Sequence, residues 1–276
     1  MGNTVYYYCN VQTGHLVLKN REVWMTDIRN LNDSNEGIGV YTLFLEMLER
    51  YDHEHLKKHE DLWRIAAHQS AIRLYGDFLE KYPDYVVCFS KDKDSVSKWC
   101  MYADDGCGMA VGFDEDDLKG VVNDFLSYKE IKYICEEDLE EIVEEAYEKL
   151  EKSETRDFEK MELVMGIIKK AYPDGNGYKL DHYKSEQETR LVYTYRKDSP
   201  KTTKLRGGWD LREIDTYTKK NMINTYIPMG FPRSAVKEIV LGPKYQKNYY
   251  EFEHALEVLG YDVPDIAVSK SKSRYR

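Results

Sequence analysis

Two glutamates two residues apart, Glu186 and Glu188, lead directly into an apolar strand in the segment KSEQETRLVY (184–193). Residues two apart on an extended chain share a face, so this spacing predicts two carboxylates side by side in one cleft. Like charges placed so close repel and one pKa rises, which is how a site obtains an acid and a base from identical groups. Arg190, two residues further on, is expected to share that face and to pair with a carboxylate or clamp a phosphate. The plain alternative is a pair of solvated acids and a surface ion pair, which a chain with 50 acidic residues supplies readily.

Other spacings carry less. HEHLKKH (53–59) places His55 and His59 one helical turn apart, a spacing able to hold a metal. Lys57 stands where a zinc-protease helix needs its second His, and a solvated helix face is the expected reading, with no metal. A single Arg206-Gly207-Gly208-Trp209 reads as a loop rather than an RNA-binding repeat. Phosphate-binding, dinucleotide-binding and hydrolase-elbow glycine patterns do not occur.

The elements that must position these residues belong to a chain of 276 residues, 42% hydrophobic and 33% charged, with a net charge of -10. That composition excludes disorder and argues against general nucleic-acid or membrane-surface binding, although the terminal KSKSRYR is locally basic. No apolar run approaches the roughly 18 residues that cross a bilayer. Five cysteines without a C-x-x-C pattern, and an opening segment unlike a secretion signal, predict reduced thiols and a cytoplasmic protein.

Val5 to Tyr8 and Val23 to Thr26 read as strands joined by a short connection, and Asp33 with Glu36 as a capping box opening a helical region. Leu43, Phe44, Met47, Leu48 and Tyr51 continue it at helical spacing, as do apolar positions between Leu62 and Arg73. Strands follow at Val86 to Phe89 and Met109 to Phe113, with a short helix from Ser95 to Tyr102 between them and Asp114 capping the next turn. An acidic amphipathic helix is expected from Leu139 to Leu150. A loop at 171–179 precedes strands at Arg190 to Arg196, Asn221 to Pro228 and Val236 to Leu241. The expected fold is α+β: one domain, 1–276, with a mixed, mostly antiparallel β core and helical insertions at about 38–81 and 136–171.

Four stretches in order resemble the bacterial family known only as domain of unknown function twenty-nine seventy-one. They are Val5 to Tyr8 with Leu16 and WMTDIRNLNDSNE (24–36); Cys88-Phe89-Ser90 with SKWCMYA (97–103) and Gly106 to Phe113; Tyr183 to Val192; and EIVLGPK (238–244) with Ser269 to Arg276. Their order also resembles, more loosely, the ADP-ribosyltransferase layout: an opening strand with an anchoring residue, a central strand ending in Ser, and Glu-x-Glu entering a late strand.

The second resemblance implies a split-sheet fold and cleavage of the nicotinamide bond of NAD through an oxocarbenium-like state. It assigns Glu188 as the stabilising carboxylate and Glu186 as the group activating an acceptor macromolecule. Ser90 would hold the ribose or amide, Trp99 or Tyr102 would stack on nicotinamide, and Tyr7 would take the anchoring place on the opening strand. Arg190 joins this cofactor-binding set. The resemblance to the unknown-function family also implies an effector of phage defence or a toxin system. The alternative is a non-enzymatic nucleotide-sensing or protein-interaction module.

Overall fold

A computed structural model describes residues 3–31, 37–55, 83–219 and 221–275. The chain divides into two compact units, the first made of Met1–Asp27, Tyr85–Glu130 and Ser185–Arg276, the second of Ile28–Asp84 and Ile131–Lys184. Both expected insertions fall within the second unit. The capping box at Asp33 and the residues from 56 to 81 lie outside the described residues.

The first unit is built on a twelve-stranded sheet. Its chain runs through β1 (Thr4–Cys9), α1 (Val11–Asn20), β2 (Glu22–Asp27), then, after an excursion containing α2 (Gly39–His55), β3 (Asp84–Ser90), α3 (Val96–Tyr102), β4 (Met109–Asp114), α4 (Glu115–Gly120) and β5 (Leu126–Glu130). A second excursion holds β6 (Lys132–Ile134), α5 (Glu140–Glu151), α6 (Asp157–Ala171) and β7 (Tyr178–Leu180). The chain then returns through β8 (Glu188–Thr194), β9 (Thr203–Lys204), β10 (Asp210–Leu211), β11 (Asp215–Lys219), β12 (Met222–Gly230), β13 (Val236–Leu241), α7 (Tyr249–Val258) and β14 (Ala267–Lys270).

Strand order is β14-β13-β4-β1-β3-β2-β12-β10-β9, with β11 on β12 and with β8 linking β3 to β5. The registered ladders are antiparallel apart from β13 with β14. The architecture is therefore α+β with a mostly antiparallel sheet. β3 has three partners but only two edges, so it is shared lengthwise. β1 meets its C-terminal end, Tyr6 opposite Ser90, and β2 its N-terminal end, Asp27 opposite Tyr85.

Side chains alternate across each strand. Val5, Val23, Tyr85, Val87, Phe89, Phe113, Leu191, Tyr193 and Ile227 all join one large apolar core on one face. Tyr6, Tyr8, Ala110 and Val240 emerge on the other, where they form a small cluster with Trp99 and Ala103 of the α3 region. Tyr6 lies opposite Gly112, where an added Cβ would come within 3.0 Å of its ring, so the ring needs that position bare.

The connection expected between β1 and β2 is the helix α1, capped by Asn10, whose side chain accepts from the Thr13 N–H at 2.7 Å. Asp114 caps α4 as expected, accepting from the backbone of Asp116 and Asp117. The first residue of that helix, Glu115, is buried yet accepts from the Tyr128 hydroxyl at 2.8 Å and pairs with Lys119 at 3.1 Å. Lys91 reaches the same knot through Glu130 at 2.9 Å.

In the second unit, Phe44, Met47 and Leu48 of α2 pack with Leu139, Val143, Ala146 and Leu150 along α5 and with Val164 and Ile168 of α6. These are the apolar stripes expected of α2 and α5. β6 and β7 form a short parallel pair, and Asn176, inside the expected loop, donates from its amide to buried Asp84. Among the described residues no helix is long and apolar enough to cross a membrane.

Candidate active site

β3 ends at Ser90, and its hydroxyl fixes two chain segments at once. It donates to the Glu186 carbonyl at 2.7 Å and accepts from the Asp92 N–H at 3.2 Å. The adjacent Lys91 N–H donates to the Gln187 carbonyl at 2.9 Å. Gln187 takes a φ of 44°, in the left-handed region that few residues other than glycine favour. The chain therefore turns between the two glutamates. Glu186 closes a short 3-10 segment, Asp181–Glu186, and Glu188 opens β8, so a turn separates the two and strand alternation does not relate them. Alternation does hold for Glu188 and Arg190.

Glu188 Oε1 receives Arg190 Nε at 3.0 Å and Nη2 at 2.7 Å, and both side chains are closed to water. Arg190 thus serves Glu188 and is not presented to a phosphate. Glu186, also buried, accepts from the Tyr102 hydroxyl at 3.2 Å through Oε1, and Lys98 Nζ lies 3.7 Å from its Oε2. Lys98 is itself buried and rests 4.9 Å from the centre of the Tyr102 ring. A lysine in that setting is a functional group that the sequence reading passed over. Its only signal was a cation two residues into a short helix that also carries Trp99 and Tyr102.

Trp99 does not offer a stacking surface. It is fully buried, edge-on to Tyr8 at 4.7 Å, and its Nε1 donates to Asp94 at 2.8 Å. The nicotinamide-stacking assignment is corrected accordingly: of the two rings, Tyr102 alone keeps partial exposure. Tyr7 is corrected too. It faces the large core, 6.3 Å from Phe89, and burial pushes its hydroxyl pKa up. Its neighbours occupy the face of Ser90: Tyr6 donates to Glu238, and Tyr8 donates to the Asp92 carbonyl at 2.8 Å while accepting from the Ser95 N–H at 3.1 Å.

Ser90, Glu188 and Arg190 therefore lie on the sheet face away from the large core, and Glu186, bound through its carbonyl to Ser90, meets Lys98 and Tyr102 there. Asp94 ties this arrangement to the C-terminal tail. Its Oδ1 also accepts from the Ser271 hydroxyl, and its Oδ2 from the Lys272 N–H at 2.8 Å. At the far end of α3, Asp105 accepts from Lys244 at 2.7 Å and from the Tyr275 hydroxyl. In the second unit His55 turns its Nδ1 to the Tyr51 carbonyl at 2.8 Å, and His59 lies outside the described residues.

Residues 98–191, about a third of the chain, match the family model described as protein of unknown function (DUF2971). The matched family is the first of the two that the sequence resembles. No curated protein and no solved structure matches the chain significantly. The DUF2971 match begins at Lys98 and ends at Leu191. It thus contains every carboxylate, cation and ring of the cluster, while Ser90 and the opening strand lie before it.

Proposed function

We propose that the chain is a cytoplasmic, NAD-using enzyme of ADP-ribosyltransferase type. One observation carries the reading. Ser90, at the end of β3, donates to the backbone carbonyl of the residue that starts the Glu-x-Glu element 96 positions later, and Tyr102 and Lys98 close on that residue's carboxylate. Breaking the nicotinamide bond develops positive charge on the ribose, and a fixed carboxylate in a dry site lowers that barrier. Glu188 takes this role, oriented by Arg190. Glu186 takes the proton of the acceptor, steadied by Tyr102 and Lys98. NAD is the substrate, and the acceptor is a macromolecule or water. The effector role in phage defence or a toxin system belongs to the same proposal and rests on family resemblance alone.

A non-enzymatic nucleotide-sensing or interaction module is favoured by a different observation: Glu188 spends one oxygen on Arg190 with both side chains shielded. Incubation with NAD separates the two readings. Under the transferase reading nicotinamide is released, and Glu188→Gln slows release on the order of 100- to 1000-fold in a folded protein. Absence of release by the wild-type chain, with or without NAD binding in calorimetry, favours the module.

A further inference from the structure

β13 and β14 are parallel, Leu241 opposite Lys270, so the segments that follow them leave the sheet at the same end. These are 242–250 and 271–275. Lys270 Nζ donates to the Tyr245 carbonyl at 2.9 Å, and Lys244 Nζ sits 4.2 Å above the centre of the Tyr275 ring, which fastens one segment to the other. From 242 to 250 and from 270 to 275 there are five cations, four tyrosines and no acid, in a chain whose net charge is -10.

The acids at this surface include Asp94, Asp105 and Glu251, with Glu253 close enough to act on Tyr249. Asp94 is occupied by Trp99, Ser271 and the Lys272 N–H, Asp105 by Lys244 and Tyr275, and Glu251 by Lys247 at 3.6 Å. Among the described residues Lys270, Lys272 and Arg274 make no ion pair, and all three are exposed. Beside them Tyr249 and Tyr250, their rings 4.0 Å apart, are 39% and 65% exposed at the start of α7, which packs on β14.

Unpaired cations along a chain segment track a phosphate backbone, and exposed tyrosine faces accept unstacked bases. A lipid headgroup layer would use the cations but would not need the rings. We propose that this surface binds single-stranded nucleic acid without sequence preference. The site on the sheet face need not be catalytic for this to hold.

Fluorescence anisotropy of a short fluorescein-labelled single-stranded DNA tests it on the full chain. With three cations engaged, the logarithm of affinity should fall against log salt with a slope of about −2, so that binding weakens about 15-fold between about 50 and 200 mM salt. Lys272→Glu with Arg274→Glu, side chains without a described partner, should flatten the slope by at least about 1.4. Tyr250→Ala should weaken binding about ten-fold at any salt. No binding at the lower salt, or binding indifferent to the double reversal, overturns the proposal. So does equal, charge-dependent binding to phosphatidylserine vesicles with no effect of Tyr250→Ala.

Discussion

The Glu188 carboxylate and the Arg190 guanidinium meet at 2.7 Å across two residues of one strand, with exposures of 2% and 0% for the two side chains. A buried pair of this kind stabilises less than its Coulomb attraction suggests, because both ions lose their water. Removing one partner, however, strands the other. Arg190→Met should therefore cost about 3–5 kcal/mol in urea unfolding. Glu188→Gln with Arg190→Met should recover much of it. A double variant as unstable as the single one would mean that the cost arises from packing and not from the stranded charge.

Asp94 is the second tie whose loss can be read directly. Asp94→Ala leaves the buried Trp99 Nε1 without its acceptor, a loss of about 1–3 kcal/mol. Ser271→Ala removes a bond to the same carboxylate and spares the indole. In nitrogen-15 spectra the Trp99 indole signal should move strongly in the first variant and modestly in the second, with the other tryptophan side chains unmoved. An unshifted Trp99 signal in Asp94→Ala would show that the bond does not form in solution.

Glu186→Gln separates two tasks. If Glu186 activates the acceptor, nicotinamide release persists while label on a macromolecule falls, since that proton transfer is distinct from glycosidic cleavage. Equal loss of both, with an unchanged melting temperature, assigns Glu186 to positioning instead.

Acid stability should report Glu115. Burial pushes its pKa up, but the Tyr128 hydroxyl, Lys119 and Lys91 outweigh this, and the net shift is downward. A carboxyl depressed in the folded state contributes stability above its unfolded pKa of about 4.3, and that contribution drains away as pH falls through the folded value. Glu115→Gln should lower stability at neutral pH and flatten its dependence on pH below about 5. A variant with the wild-type acid limb would place the titration elsewhere.

Cys9 and Cys100 should differ in reactivity. Burial pushes the Cys9 thiol up to about 12, whereas Cys100 is exposed. Thiolate is the reactive form, so a thiol reagent at neutral pH should label Cys100 in the native chain and reach Cys9 only on unfolding. Early labelling of Cys9, read by peptide mass, would contradict its burial.

Periodicity in the sequence reaches β1, β2, α2, β3, α3, β4, α5, β8, β12 and β13, because each presents a run of apolar residues at one period. α1 escaped it because Gly14 looks like a break. In the structure Gly14 sits against Met109, whose sulfur an added Cβ would meet at 2.5 Å, so the glycine serves packing within a helix. Tyr7 takes the anchoring place through the resemblance alone, and V-Y-Y-Y contains no polar residue to mark which face is which, although a shift of one residue reverses every side chain. Lys98 and Asp94 carry no pattern at all. Their partners lie 88 and 177 residues away, at Glu186 and Ser271, and only the fold brings them together.

The placing of β2 also governs when the protein can fold. One edge of β2 meets β3, and the other has its ladder with β12, almost 200 residues later. On the ribosome one edge of β2 has no ladder partner until Met222–Gly230 has been made. Such long-range pairing folds slowly and leaves strand edges open to other chains. Completion of this sheet thus waits for β12, and a nascent chain halted before β12 still carries that open edge.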